Sequence, residues 1–332
     1  MESRRAEKKT SYCEAIREAY VYLLERYPEV FVIGQGLWSP WYVGNTMKDL
    51  DKQFGNDRIL DTPICEDSTT GIAVGAGLCG YRPIVVHPRM DFMILATNQI
   101  VNQAAKWSHM MGGHGHPAVT IRSIINRGGE QGAQHSQALH GWFAHIPGLR
   151  VVMPATVSDA RDLLIASVLC DDPVLFIDDR WLYEIEDELP PIREVQLETE
   201  RSRVLKSGGD VTLVGCGYTT QLCMTAAADL TRDGVAAEVI DLRILNPIRH
   251  EAAIASVERT GRLLAVDGGW RTCGMAGEVI AGIVEALPPE RLKTRPVRIT
   301  LPSAPAPTSR PLEDAYYFKA ADIRSAVLKS MA

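Results

Sequence analysis

The 332-residue sequence is 46% hydrophobic, which is sufficient for two domains with sizeable buried cores. Its 35 basic and 41 acidic residues give a formal charge of -6, and no basic run can neutralise a row of phosphates, so we expect no nucleic-acid partner. The N-terminus is charged rather than apolar, and no apolar run approaches the roughly 20 residues of a membrane span, so we expect a cytoplasmic protein without a membrane partner.

The first half of the sequence alternates short β-rich runs with helical stretches. Ser11 and Glu14 have capping-box spacing, which predicts a first helix that ends at about Tyr27. The predicted strands are 30–34, 58–61, 83–87, 118–122, 150–153 and 174–177, and the predicted helices lie near 68–80, 91–111 and 157–169. This rhythm predicts a parallel sheet with crossover helices in a first domain of residues 1–185.

A charged, proline-containing stretch at 186–206 predicts a linker before a second domain. Strand and helix patterns then alternate again at 211–216, 219–232, 237–241, 250–259 and 263–266, with a further helix after Met275. The segment 304–311 is expected to be extended and to precede a terminal helix. The predicted fold class is therefore α/β, with two three-layer domains and mainly parallel sheets, the second at residues 207–332.

The cysteine and histidine patterns predict no metal ligands on this chain. The odd number of cysteines and the lack of a Cys-x-x-Cys pair indicate reduced, mostly buried thiols: Cys13, Cys65, Cys79, Cys170, Cys216, Cys223 and Cys273. His114 and His116 lie in a glycine-rich run without a nearby carboxylate or thiol. A solvated turn explains this pair better than a metal site does.

The first candidate functional residue is Glu66, at the junction between a predicted strand and a helix of small residues. In open α/β sheets the carboxyl ends of the strands face the binding crevice, where a carboxylate can act on a ligand. The alternative is that Glu66 only stabilises the helix N-terminus, an effect of about 0.3–1 kcal/mol. Ser68 or Thr69 can cap that helix instead, so position alone leaves both readings open.

The second candidate is His135, in the glycine-rich loop that follows the strand 118–122. Glycines let the backbone approach a ligand, and an imidazole can exchange protons with a reacting oxygen near neutral pH. A histidine can equally orient a turn, and we expect structural positions for His109, His140 and His145. The sequence has no Gly-x-Ser-x-Gly elbow, phosphate-binding loop or His-Glu-x-x-His motif, so those catalytic classes are disfavoured.

Several longer segments together carry a resemblance to a known family. They are Asp61–Glu66 with Gly71–Gly75, Asn98–Lys106, Gln134–Gln137, Ala144–Val152, Val266–Trp270 and Pro311–Asp314. On these segments the sequence resembles the beta subunits of pyruvate and branched-chain 2-oxo acid dehydrogenases over nearly the whole chain. The resemblance implies a transketolase-like pyrimidine-binding domain followed by a transketolase C-terminal-like domain.

The resemblance also implies thiamine diphosphate as the cofactor and gives roles to individual residues. The family glutamate that matches Glu66 hydrogen-bonds the aminopyrimidine ring and promotes loss of the thiazolium proton. Phe92 matches the aromatic residue that packs against the pyrimidine, and His135 matches the histidine near the reacting carbon and the acyl acceptor. Ile64, Cys65 and apolar neighbours are expected to enclose the glutamate carboxyl.

In this family the diphosphate and magnesium site lies on an alpha-type partner, in a Gly-Asp-Gly motif with a downstream asparagine. This sequence has no such motif, and Asp267-Gly-Gly lacks the downstream half. The resemblance therefore implies an alpha2-beta2 heterotetramer that binds the cofactor between unlike chains, with Mg²⁺ ligated mainly by the alpha chain. It also implies a lipoyl-domain acyltransferase or a carrier protein as a further partner.

The segment His87–Asp91, which is expected close to the substrate pocket, departs from the family pattern. The segments 126–134 and 304–311 also depart from that pattern. Arg89 can meet an anionic or polar substrate, or it can form a surface or interchain salt bridge.

The expected activity is decarboxylation of a 2-oxo acid with transfer of the acyl group to a lipoyl carrier. Transfer of a two-carbon ketol unit to an aldehyde or a carrier-protein thiol is the alternative. A third possibility is a non-catalytic structural subunit, against which the retention of Glu66 and His135 argues.

Overall fold

A computed structural model describes residues 9–331 of the chain. Two compact units divide these residues. The first unit contains residues 9–125 and 146–200, and the second contains 126–145 and 201–331. The segment 126–145, which carries His135, therefore belongs to the second unit, although first-unit residues precede and follow it in the sequence.

Strands and helices alternate along most of the chain. The strands of the described residues are β1 (Lys9–Ser11), β2 (Val30–Gly34), β3 (Ile59–Asp61), β4 (Arg82–His87), β5 (Thr120–Ile125), β6 (Arg150–Val152), β7 (Val174–Asp179), β8 (Glu186–Glu188), β9 (Arg203–Lys206), β10 (Val211–Gly215), β11 (Ala237–Asp241), β12 (Ile244–Asn246), β13 (Leu263–Trp270) and β14 (Val297–Leu301). The α-helices are α1 (Tyr12–Arg26), α2 (Leu50–Phe54), α3 (Glu66–Leu78), α4 (Met90–Met93), α5 (Trp107–Met110), α6 (His140–Ala144), α7 (Val157–Leu169), α8 (Tyr218–Arg232), α9 (Glu251–Thr260), α10 (Met275–Ala286), α11 (Arg310–Tyr316) and α12 (Ala320–Met331).

The central sheet of the first unit has the strand order β6-β7-β5-β4-β2-β3, and all of these pairs are parallel. Every residue of β5 and β7 is buried, as expected for strands that helices cover on both faces. Because all of these strands run in one direction, their carboxyl ends meet at one edge of the sheet. That edge carries the residues that follow β2, β3, β4 and β7.

The first helix forms as its capping pattern predicts. Glu14 N donates to Ser11 Oγ, and the Glu14 carboxylate accepts from Ser11 N at 3.0 Å, so both halves of the capping box are present. The apolar face of α1 is buried and packs against α7. Tyr27 caps the carboxyl end of the helix.

The stretch predicted to be helical near 91–111 is helical over most of its length, but it is not one continuous α-helix. The chain there forms α4, a 3-10 turn at Ile94–Ala96, a π-helix at Gln99–Ala104 and then α5. The π-helical closure is visible where Ala105 N donates to Ile100 O at 3.0 Å. Apolar spacing cannot distinguish this wider turn from an α-helical one, because both bury one face of the segment.

The second unit contains a five-stranded sheet with the order β14-β13-β10-β11-β9, in which only the edge pair β11-β9 is antiparallel. Its core lies between this sheet and the helices α8 and α12, with buried residues such as Leu213, Val239 and Ile323. The stretch 186–206 is not a linker throughout, because it begins with β8, which pairs with β1, and ends with β9.

All seven cysteines are free thiols. Cys13, Cys170, Cys216 and Cys223 are buried, whereas Cys65, Cys79 and Cys273 are exposed, which agrees with the expectation of reduced, mostly buried thiols. Of the helices described in residues 9–331, none is both long and apolar enough to cross a bilayer.

Candidate functional site

Glu66 occupies the first position of α3, and only 7% of its surface is exposed. Cys65 precedes the helix as its N-cap without a side-chain hydrogen bond, so neither Ser68 nor Thr69 caps α3. The partial positive charge at the N-terminus of this 13-residue helix favours a carboxylate at Glu66. Within residues 9–331, however, that carboxylate has neither a hydrogen-bond donor nor an ion-pair partner. The helix position alone therefore leaves it unsatisfied.

The Glu66 side chain lines a narrow cleft at the carboxyl edge of the first-unit sheet. The cleft is built from the ends of β2, β3 and β4 and the first turn of α3: Gly34, Gln35, Thr62, Cys65, Glu66, Thr69, Val86 and His87. A Cβ on Gly34 would lie 2.6 Å from Val86 O, so only glycine allows the two strands to approach so closely here. The strand-end rule thus places Glu66 in a cleft, as its sequence position predicts.

The expected enclosure of Glu66 by Ile64 is wrong, whereas Cys65 does line the cleft. Ile64 is 76% exposed and is not part of the cleft lining, and Cys65 is exposed at the edge of the lining. Thr69 of α3 and His87 at the end of β4 also line the cleft beside Glu66.

His87 is a member of the site that sequence reasoning noted only as a departure from the family pattern. It is 3% exposed, and its Nε2 lies 3.1 Å from the hydroxyl of Thr70 on α3. Burial lowers the pKa of His87 to about 4. The imidazole is therefore neutral at physiological pH and presents a dipole, not a positive charge, to the cleft that contains Glu66.

Phe92 and Arg89 follow β4 at the same sheet edge. Phe92 is half-buried in α4, and its N–H donates to Arg89 O at 3.2 Å. Arg89 is also half-buried, and it forms no ion pair within the described part of the chain. Burial and then the nearby charge of Arg180 lower the pKa of Arg89, while Tyr42 and Asp91 act in the opposite direction. An intrachain salt bridge therefore does not account for Arg89.

His135 lies half-buried in the loop between β5 and α6, in the second unit. Its N–H donates to Gly132 O at 3.4 Å. Two hydrogen bonds hold this loop to other residues of the second unit. Arg127 Nη1 donates to Gly268 O at 2.9 Å, and Glu130 N donates to the Glu313 carboxylate at 3.1 Å. These bonds fix the backbone around His135, so the side chain is presented from an anchored loop.

His140 is structural, as the sequence predicts. Its Nε2 lies 2.8 Å from Asp267 Oδ1, and both side chains are buried. Burial alone raises the pKa of Asp267, but His140 and the N–H groups of Gly269 and Ala276 outweigh that effect and lower the pKa below its usual value. The Asp267 carboxylate is thus satisfied inside the second unit. By contrast, His145 and His109 are exposed.

A separate cavity of about 790 Å³ lies in the second unit, with His145, Trp142 and Met275 in its lining. Neither Glu66 nor His135 contributes to it. We therefore do not assign the reaction to this cavity.

One group of potential metal ligands, Cys170, Asp172 and Glu198, occurs within residues 9–331. Its atoms already bond to protein groups, because the Cys170 thiol donates to Glu198 at 3.1 Å and Arg150 Nε donates to Asp172 at 2.8 Å. Burial, followed by the hydrogen bond to Glu198, raises the pKa of Cys170 to about 12, which disfavours the thiolate that a metal would need. His114 and His116 are exposed and belong to no such group.

Comparison with known families assigns both halves of the chain. The transketolase pyrimidine-binding domain matches residues 8–185, and the transketolase C-terminal domain matches residues 200–323. A solved structure described as a split gene transketolase, an inactive beta4 tetramer, superposes with a TM-score of 0.77 over 97% of this chain and 98% of its own. At 22% sequence identity, that similarity supports the fold alone.

Relatives that match over most of their length show to which family of these two-domain proteins the chain belongs. The chain is 37% identical to the beta subunit of acetoin:2,6-dichlorophenolindophenol oxidoreductase from Cupriavidus necator, over 98% of both chains. It is 33% identical to the mitochondrial pyruvate dehydrogenase E1 component subunit beta of Rattus norvegicus, over 96% of this chain and 89% of the relative. The chain therefore belongs to the beta-subunit family of thiamine diphosphate-dependent 2-oxo acid dehydrogenases, which is built from the transketolase pyrimidine-binding and C-terminal domains.

Proposed function

We propose that this chain contributes the glutamate half of a split active site, which decarboxylates a 2-oxo acid and passes the acyl group to a lipoyl carrier. The observation that carries the proposal is the Glu66 carboxylate, which is 7% exposed, lines a cleft and has no protein partner within residues 9–331. An almost buried carboxylate without a donor is costly in free energy. A ring nitrogen that shares its proton with Glu66 would remove that cost, so the site fits the aminopyrimidine of thiamine diphosphate.

Three residues have distinct roles in this proposal. Glu66 holds a proton at the pyrimidine ring nitrogen, and Phe92 packs against that ring. His135 exchanges a proton with the reacting oxygen or with the incoming acceptor. When bound, the cofactor would supply a nucleophilic carbon and an acceptor for the electron pair released on decarboxylation.

The proposal includes an alpha-type partner in an alpha2-beta2 assembly. The sequence contains no Gly-Asp-Gly motif with a downstream asparagine, and the relatives are themselves described as beta subunits. The diphosphate and Mg²⁺ would be held mainly by the partner, and this chain would supply the pyrimidine side. The lipoyl acceptor would belong to an acyltransferase that binds the assembled pair.

A second candidate keeps the cofactor and changes the donor. The relative from Cupriavidus necator is described as acting on acetoin, a hydroxyketone, and its similarity covers 98% of both chains. A hydroxyketone or ketol donor, with transfer to an aldehyde or a carrier-protein thiol, is therefore the alternative to a 2-oxo acid. Parallel assays with both donor classes distinguish the two.

The test is Glu66→Gln in the complex co-expressed with its alpha-type partner. The amide keeps the size of the side chain but cannot act as a carboxylate toward the ring nitrogen, so we expect turnover to fall by at least about 100-fold. Glu251→Gln is the matched control, because Glu251 occupies the first position of α9 but is exposed. Near-normal turnover of the Glu66 variant would refute the catalytic role and favour a non-catalytic subunit.

Calorimetric titration of thiamine diphosphate with Mg²⁺ tests the split site separately. We expect binding by the co-expressed complex and none by the lone chain, because the diphosphate groups of the proposal lie on the partner. Tight binding by the lone chain would show that it carries its own diphosphate site, and the obligatory partner would be ruled out.

A further inference from the structure

Two arginines at the edge of the first-unit sheet form no carboxylate ion pair with any residue of 9–331. Arg89 follows β4, and Arg180 follows β7. The Nη2 group of Arg180 donates to Tyr42 O, whereas its buried Nε has no hydrogen-bond partner in the described structure. Arg89 is half-buried and makes no ion pair within residues 9–331. Neither guanidinium group is therefore neutralised by a carboxylate of residues 9–331.

The charge of Arg180 acts on Arg89 more strongly than that of the nearby carboxylate does. Arg180 lies near enough to Arg89 for its charge to disfavour the protonated form of Arg89, and burial acts in the same direction. Asp91 is the one carboxylate that counters these effects on Arg89, with a smaller contribution than that of Arg180. A partly buried cation without an ion pair is costly, and the neighbouring charge of Arg180 adds to that cost at Arg89. An anion bound between the arginines would lower that cost.

A continuous set of first-unit residues connects the arginines with the Glu66 cleft. Gln35 lines the cleft, and the next residue, Gly36, packs directly on the Tyr42 ring, since a Cβ there would lie 2.1 Å from Tyr42 Cδ1. Tyr42 in turn accepts from Arg180. On the other side, Arg89 is two residues from His87, which also lines the cleft.

We propose that Arg89 and Arg180 bind an anionic group of the substrate, a carboxylate or a phosphate, that is remote from the reacting carbon. The inference rests on the proposed function, because it concerns the substrate on which the Glu66 site acts. The reacting carboxylate itself is a poor occupant. Its charge disperses as the bond to the keto carbon breaks and carbon dioxide leaves, so two cations on it would stabilise the substrate more than the transition state. A second anionic group keeps its charge throughout and supplies binding free energy.

The experiment compares matched substrates in the co-expressed complex. 2-Oxopentanoate and 2-oxoglutarate have equal carbon chains but differ in a terminal carboxylate, and xylulose and xylulose 5-phosphate differ in a phosphate. We expect kcat/KM for one of the anionic substrates to exceed that of its neutral match by roughly 10- to 100-fold, the range for a charged hydrogen bond. The preferred pair identifies carboxylate or phosphate.

Substitutions then test the two arginines. Arg89→Met and Arg180→Met should each lower the preference by roughly 10-fold or more, mainly through KM, and Arg89→Lys should restore part of it. Arg193→Met is the control, because Arg193 is exposed in the same unit. If Arg180→Met does not fold, Arg89→Met and Arg89→Lys still decide the question.

Two outcomes would overturn the inference. One is equal use of neutral and anionic substrates, or use of neutral donors alone; activity that still requires Glu66 would then leave the proposed function standing. The other is that Arg89→Met weakens assembly with the alpha-type chain and leaves the substrate preference unchanged, which would assign Arg89 to an interchain ion pair.

Discussion

The buried imidazole of His87 should make folding stability depend on pH in a way that one substitution removes. Its pKa in the folded chain is about 4, against 6.5 for an unperturbed histidine. The unfolded chain therefore binds more protons than the folded chain between these values, so stability falls as pH decreases through that window. The full effect is about 3 kcal/mol, of which about 2 kcal/mol is lost between about pH 7.5 and about pH 5.

His87→Gln should abolish this contribution, because glutamine can still bond to the Thr70 hydroxyl but does not titrate. The measurement is the free energy of unfolding from urea denaturation at several pH values. The wild-type chain should lose about 2 kcal/mol more than the variant as pH falls to about 5. His116→Gln is the control, because His116 is exposed, and it should follow the wild type. Parallel pH curves for wild type and His87→Gln would refute the assignment of a neutral, buried imidazole.

Two further substitutions test the packing of the first unit by urea denaturation. Arg122→Met should destabilise the fold by about 3–5 kcal/mol, because it leaves the fully buried Asp178 carboxylate, 2.7 Å from Arg122 Nη2, without its cation. A loss of less than about 1 kcal/mol would contradict this expectation. Gly148→Ala should cost roughly 1–3 kcal/mol more than Gly80→Ala, because both glycines have positive φ but only a Cβ at 148 meets backbone, 2.0 Å from Ala105 O; equal losses would show that the chain relaxes there.

The sequence predicts the sheet of the first unit well because its strands are continuous apolar runs, which are typical of parallel strands that are buried on both faces. The strand at 174–177 is predicted too short, since β7 continues through Asp178 and Asp179. Carboxylates look like loop residues in a sequence, but Arg122 on β5 pairs with Asp178 inside the sheet. Only the three-dimensional register brings this counter-charge to the strand, so no local pattern reveals it.

The candidate site was predictable to the extent that position along a strand determines it. Glu66 begins α3 after the short turn that follows β3, and the same strand-end reasoning applies to His87 and Arg180. The sequence does not reveal that His87 and Arg180 belong to this sheet edge, because that depends on burial and on contacts in the fold. Those properties follow from packing between elements distant in the sequence, such as Thr70 of α3 against His87. A sequence motif identifies a residue that the family shares, here Glu66. Burial and contacts in the fold identify further residues, here His87 and Arg180, that the motif does not contain.

Residues 126–145 belong to the second unit, which limits where the chain can be divided. A gene fragment that ends after residue 185 would carry Arg127 and His140 but not Gly268 and Asp267, which bond to them. Both side chains would then face water or remain unpaired, and the loop that bears His135 would lose its anchors. The boundary between the two matched domains in the sequence is therefore not a boundary between independent folding units. Evolutionary exchange of either half would have to preserve the hydrogen bonds of residues 126–145 to the second unit.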